Sequence, residues 1–94
     1  MTAPREPRLL PWSGPDDKPC YLITDDSGGP VSRLADTTES TQLGMGTELL
    51  AHARHLLPRA PHGELRYLAE RLAEALADAL RVAESRGRRL RGRN

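Results

Sequence analysis

Phenylalanine is missing altogether, and one tryptophan and two tyrosines are the only aromatic residues in 94 positions. With a single isoleucine and two valines besides, the chain has little of the branched and aromatic material that pleated sheets pack. Its one cysteine, Cys20, excludes an internal disulfide and suits a reducing compartment. Long apolar runs are also lacking. The longest uncharged stretch, Ser40–Thr47, contains two glycines and falls far short of a bilayer span. Pro4, Pro7 and Pro11 interrupt the amino-terminal segment, which has none of the continuous apolar character of a secretory leader. The expectation is a single small cytoplasmic domain with no membrane partner and a modest core.

What is present is leucine, alanine, arginine and glutamate, a composition that favours helices. The net charge of +1 conceals an asymmetry. Residues 86–94 carry five arginines and no acid, which leaves nine basic and thirteen acidic side chains in the other 85 residues, a net of −4.

Five prolines, at positions 4, 7, 11, 15 and 19, mark residues 1–19 as an extended arm rather than a helix. Within it Leu9, Leu10 and Trp12 are expected to dock on the helices or on a partner. Cys20–Thr24 is the best strand candidate, Asp25–Pro30 a dense turn signal, and Val31–Leu34 a returning strand, giving a hairpin over 20–34. Asp36-Thr37-Thr38-Glu39 has the spacing of a helix start, so a first helix is expected over 37–57, ending before Pro58. Leu43, Gly46, Leu50, Ala53 and Leu57 share one face of it, and Gly46 there would permit close helix approach. Gly44 falls on the polar side, with no packing role in view. Six connecting residues, Pro58–Gly63, suit an antiparallel pair. The second helix is expected over 64–86, with Gly87 as a stop, and residues 88–94 form a basic tail. The domain proper is 20–87.

The chemistry-bearing clusters are few. Glu48, His52 and His55 have chelate spacing but point away from the apolar stripe, so a solvated face is expected there and no metal or cofactor. Glu70, Glu74 and Asp78 form an acidic row suited to a basic partner or, more simply, to water. Cys20 has no neighbouring base in the sequence, and the glycines near Pro30 lack a phosphate-loop pattern. No catalytic residue is assigned, and the chain does not read as an enzyme. Arg88, Arg89, Arg91 and Arg93 offer an alternative, sequence-independent contact with nucleic-acid phosphates, without interleaved aromatics for base stacking.

The most informative feature is the second helix itself. Leu65, Leu68, Leu72, Leu76 and Leu80 recur at helical spacing over a sector wider than one short helix should cover. Such a face marks association more often than catalysis. Leu10-Pro11-Trp12-Ser13-Gly14-Pro15, Lys18-Pro19-Cys20-Tyr21-Leu22, Ser32-Arg33-Leu34-Ala35-Asp36, Gln42-Leu43-Gly44-Met45 and Leu80–Gly87 carry a resemblance. Over most of its length the chain resembles small actinobacterial proteins of unassigned function. These are often encoded beside helix-turn-helix regulators, so the resemblance implies an accessory or regulatory role. The sequence therefore predicts a mainly helical α+β protein: proline-rich arm, short β-hairpin and antiparallel two-helix hairpin. It would associate with itself as a homodimer, with a regulatory protein, or both, through the leucine face, with Leu9, Leu10 and Trp12 as docking elements.

Overall fold

The structure is a computed structural model that describes residues 7–23 and 28–91. Strand β1 (Arg8–Ser13) and strand β2 (Pro19–Leu22) form an antiparallel ribbon. Helix α1 (Pro30–Leu56) and helix α2 (His62–Arg91) follow and pack on each other and on the ribbon. The predicted class, mainly helical α+β with a short hairpin and a helical hairpin, is the architecture found.

The hairpin lies earlier than the sequence suggested. Its strands are not 20–24 and 31–34; β2 pairs backwards with a segment expected to be an extended arm. Arg8 lies opposite Leu22, Leu9 opposite Tyr21 and Ser13 opposite Pro19, with an irregularity between Leu9 and Ser13. Pro11 explains that irregularity, because it cannot donate to a ladder and is tolerated in strands at edges and bulges. Its carbonyl instead accepts from Gln42 Nε2 of α1 at 2.9 Å and from Arg81 Nη1 of α2 at 3.2 Å. Three consecutive residues, Leu9, Leu10 and Pro11, are buried, so the strict alternation of a one-sided strand is lost. The chain reverses through a 3₁₀ turn at Pro15–Asp17, where Asp16 and Asp17 both take left-handed angles, φ 56° and 59°. Aspartate is among the few side chains found there with any frequency.

Val31–Leu34, expected as the returning strand, is the first turn of α1. Pro30 stands at the first helical position behind Gly29 in an extended conformation, the arrangement in which proline's missing N–H and fixed φ favour a start. Asp36–Glu39 is therefore not a capping segment but the second and third turns. The last two residues of the predicted turn before Pro30, Gly28 and Gly29, do form a turn and bend, while Asp25, Asp26 and Ser27 lie outside the described residues. At the far end Leu57 N–H still bonds to the Ala53 carbonyl, and the chain turns over residues 57–61.

α2 begins two residues early and runs through Gly87 to Arg91, rather than stopping at Arg86. Gly87 is not a helix stop, since no glycine among the described residues has a positive φ. Arginine is a good helix former, and Arg88 gains a bond to Glu84 one turn back at 3.2 Å. The first half of the basic tail is thus folded. The molecule is elongated, 61 × 26 × 23 Å, with a radius of gyration of 16.6 Å against about 12 Å for a compact chain of this length. Among the described residues the buried apolar side chains are correspondingly few: Leu9, Leu10, Pro11, Ala35, Ala53, Leu68 and Val82.

Gly46 is not a close-approach site. A β-carbon built there, or at Gly44, meets nothing within 4 Å. Both glycines then carry only their backbone-entropy cost in a helix interior, about 1 kcal/mol each relative to alanine. The double variant Gly44→Ala/Gly46→Ala should raise the thermal midpoint by several degrees, read by circular dichroism. An unchanged or lowered midpoint would show that one of these positions needs its glycine.

Candidate functional site

Two features stand out on the surface: a charged cluster that closes one end of the molecule and an outer apolar face that nothing covers among the described residues. The cluster is built on Glu39, whose residue is 1% exposed. Its Oε1 lies 3.5 Å from Arg8 Nη2 of β1, 3.8 Å from Arg86 Nε and 3.4 Å from Arg89 Nη2, both of α2. Arg8 also donates to the Ser32 carbonyl at 3.1 Å and to Asp36 Oδ1 at 2.6 Å. One carboxylate therefore ties the ribbon, the front of α1 and the back of α2 together. It also fixes the helices as antiparallel, since Glu39 lies far back along α1 from the turn while Arg86 and Arg89 lie far forward along α2. Glu39 Oε2, Arg8 Nε, Arg89 Nη1 and Ser85 Oγ are buried without a hydrogen-bond partner.

Sequence reasoning missed this cluster, though a signal existed. Glu39 continues the stripe Leu57, Ala53, Leu50, Gly46, Leu43 by one more helical step. A carboxylate on an apolar stripe needs a cation, and the nearest supply was the arginine-rich end of α2. In the helix expected over 37–57, Glu39 stands in the first turn as a capping residue, which accounts for its charge without a distant partner.

Arg88 and Arg89 are thus not free ends. Arg88 pairs with Glu84 and lies over the Tyr21 ring at 5.3 Å, and Arg89 pairs with Glu39. Arg91 is the last described residue of α2, and Arg93 lies outside the described residues. The acidic row is likewise neutralised on its own helix, by Arg66 to Glu70, Arg71 to Glu74 and Arg81 to Asp78.

The leucines divide. Leu9 and Leu10 dock on the helices, 3% and 6% exposed, with Trp12 half-buried beside them. Leu68 is 4% exposed and belongs to the interior contact between the helices, not to an outer face. Leu65 and Leu72 are half-buried. Leu76, Leu80 and Leu90 are 60%, 61% and 63% exposed. At about 100° per residue, Leu72, Leu65 and Leu76 lie about 40°, 60° and 80° past Leu68 on α2. On α1, Leu57, Leu50 and Leu43 lie about 40°, 60° and 80° past buried Ala53 in the same sense. In an antiparallel pair equal rotations carry both stripes to one side of the plane of the helix axes. Of the ribbon's anchors, Gln42 and Arg81 turn the opposite way from Glu39 and Val82, while Asp36, held by Arg8, turns with the leucines. The leucine stripe and most of the ribbon therefore lie on different flanks of the helical pair and meet at Leu80.

Between ribbon and α2 runs an open groove of about 280 Å³ lined by Leu9, Pro19, Tyr21, Ala77, Leu80, Arg81 and Glu84. Its charged groups are engaged, Arg81 with Asp78 and Glu84 with Arg88. Cys20 is a half-buried free thiol, and among the described residues no group of three His, Cys, Asp or Glu side chains is placed to hold a metal ion. No described helix is long and apolar enough to cross a membrane. The chain matches no protein-family model, no curated protein and no solved structure.

Removing the Glu39 carboxylate leaves Arg8, whose side chain is 12% exposed, with Asp36 and the Ser32 carbonyl, and takes the shared partner from both arginines of α2. Breaking a buried pair from one side costs about 3–5 kcal/mol. Glu39→Ala should lose about that much in urea denaturation, and Arg8→Ala less, because Arg86 and Arg89 remain. A loss below about 1 kcal/mol for Glu39→Ala would deny the cluster its structural role.

Proposed function

We propose that this protein is a non-enzymatic protein–protein interaction module, an accessory or regulatory subunit that acts through the leucine face of α2. The observation that carries the reading is the row Leu76, Leu80 and Leu90, each about three-fifths exposed on a helix whose other flanks already hold α1 and the ribbon. Withdrawing such side chains from water is worth about 1–2 kcal/mol apiece. In a chain with so small an interior that sum rivals the whole net stability of a domain. The regulatory part of the proposal rests on the resemblance carried by Leu10–Pro15, Lys18–Leu22 and Leu80–Gly87. The single unpaired cysteine supports a cytoplasmic location.

The nucleic-acid alternative loses ground. Of its four arginines, Arg88 and Arg89 are held by Glu84 and Glu39, and pulling Arg89 away would open the buried cluster.

A photo-crosslinking residue placed at Leu76 in living cells should give discrete covalent protein adducts. The same residue at exposed Ser40, off the leucine face, should give none. Absence of adducts from Leu76, Leu80 and Leu90 alike would sink the proposal.

A further inference from the structure

We infer that the occupant of the leucine face is a second copy of this chain, with its α2 laid antiparallel on the first across a two-fold axis near the level of Asp78. The inference rests on the interaction-module reading above and names the partner.

Three observations support it. The first is the order of side chains along α2. The outward sector, about 80° wide, holds Leu65, Ala69, Leu72, Leu76, Leu80, Ala83, Gly87 and Leu90, with Ala73 at its edge. Apart from Leu72, which leans toward α1, this series reads nearly the same in both directions. About Asp78, Leu76 mirrors Leu80, Ala73 mirrors Ala83 and Ala69 mirrors Gly87, while Leu65 and Leu90 stand one residue out of register at the two ends. A two-fold interface sets residue i against j and j against i, so a surface that reads alike in both directions is complementary to itself. Here it sets leucine on leucine at the centre and small residue on small residue on either side, which lets the two helices approach closely.

The second is the absence of charge. Between Leu65 and Leu90 that sector has no Asp, Glu, Lys or Arg, in a chain of which 29% is charged. Depletion of charge is the compositional mark of an interface centre. The third is size. The α2 stripe is about 38 Å long, and Leu43, Leu50 and Leu57 of α1 widen it over roughly half that length. The footprint is about 600 Å² per copy, so a pair would bury about 1,200 Å², the lower end of the range for stable specific interfaces. The ribbon borders the stripe at Leu80, which also lines the groove with Leu9, Pro19 and Tyr21.

The test uses the full chain with Cys20→Ser as background. Light scattering and sedimentation equilibrium should give twice the chain mass, and Leu76→Glu should give the single mass with unchanged helicity. Leu90→Glu serves as a second variant should the first unfold. The double variant Ala69→Cys/Gly87→Cys should form a covalent dimer under mild oxidation. Either cysteine alone should not, because positions 69 of the two copies would lie about 27 Å apart. Cross-linking by Ala69→Cys alone would mean parallel helices and overturn the two-fold arrangement. A single-chain mass at high concentration with no cross-link would overturn self-association. The adducts formed from Leu76 in cells would then decide separately whether the face serves a different protein.

Discussion

The Glu39 carboxylate and the three guanidiniums around it constrain everything else in this fold. A carboxylate taken out of water costs several kcal/mol unless cations replace its hydration, and here they come from two directions in the chain. Arg8 must arrive from the ribbon, so the proline-rich leader becomes a strand laid on the helices. Arg86 and Arg89 must arrive from α2, so that helix continues past Gly87 and its arginines are structural before they are anything else. The position of Glu39 along α1 then fixes how far the two helices overlap.

That arrangement lays most of the ribbon on one flank of the helical pair and leaves the leucine stripe uncovered among the described residues. Two helices and a two-stranded ribbon make a thin, long body, and the apolar side chains its interior takes up are few and mostly small. Leucines that a third helix would cover in a larger domain stay in water. The asymmetry has chemical content: one side of the pair is held by charged and polar bonds within the chain, the other offers only surface to be withdrawn from water. The exposure of the leucines and the structural use of the arginines are therefore two aspects of one packing solution.

Much of this was legible in the sequence. The periodicity of Leu65–Leu80 specified α2, the residues around Pro58 specified the turn, and the width of the apolar sector specified that α1 alone would not cover it. The docking of Leu9 and Leu10 was expected from their apolar character within an otherwise polar leader. What misled was local chemistry with two valid readings. Asp36-Thr37-Thr38-Glu39 fits a capping box as well as it fits helix interior, and only the packing of Arg8 against both acids separates the two. Gly87 fits a helix stop, but arginines with carboxylates in reach carry the helix through it. Val31–Leu34 has strand-like residues, yet Pro30 behind Gly29 starts a helix there. Leu68 and Leu76 look equivalent in the pattern and differ only by about 80° of rotation, which puts one inside and the other in water.

By itself the sequence determined that the protein is mainly helical, that its helices form a hairpin, and that one of them carries more apolar surface than the chain can hide. Those properties follow from periodicity and composition, which act within a few residues. Only the tertiary structure decided that strand β1 comes from the leader, that the arginines answer Glu39, and which leucines remain outside. Each of those depends on groups far apart in sequence, Arg8 with Glu39 and Glu39 with Arg89, whose attraction acts only once the chain has brought them together.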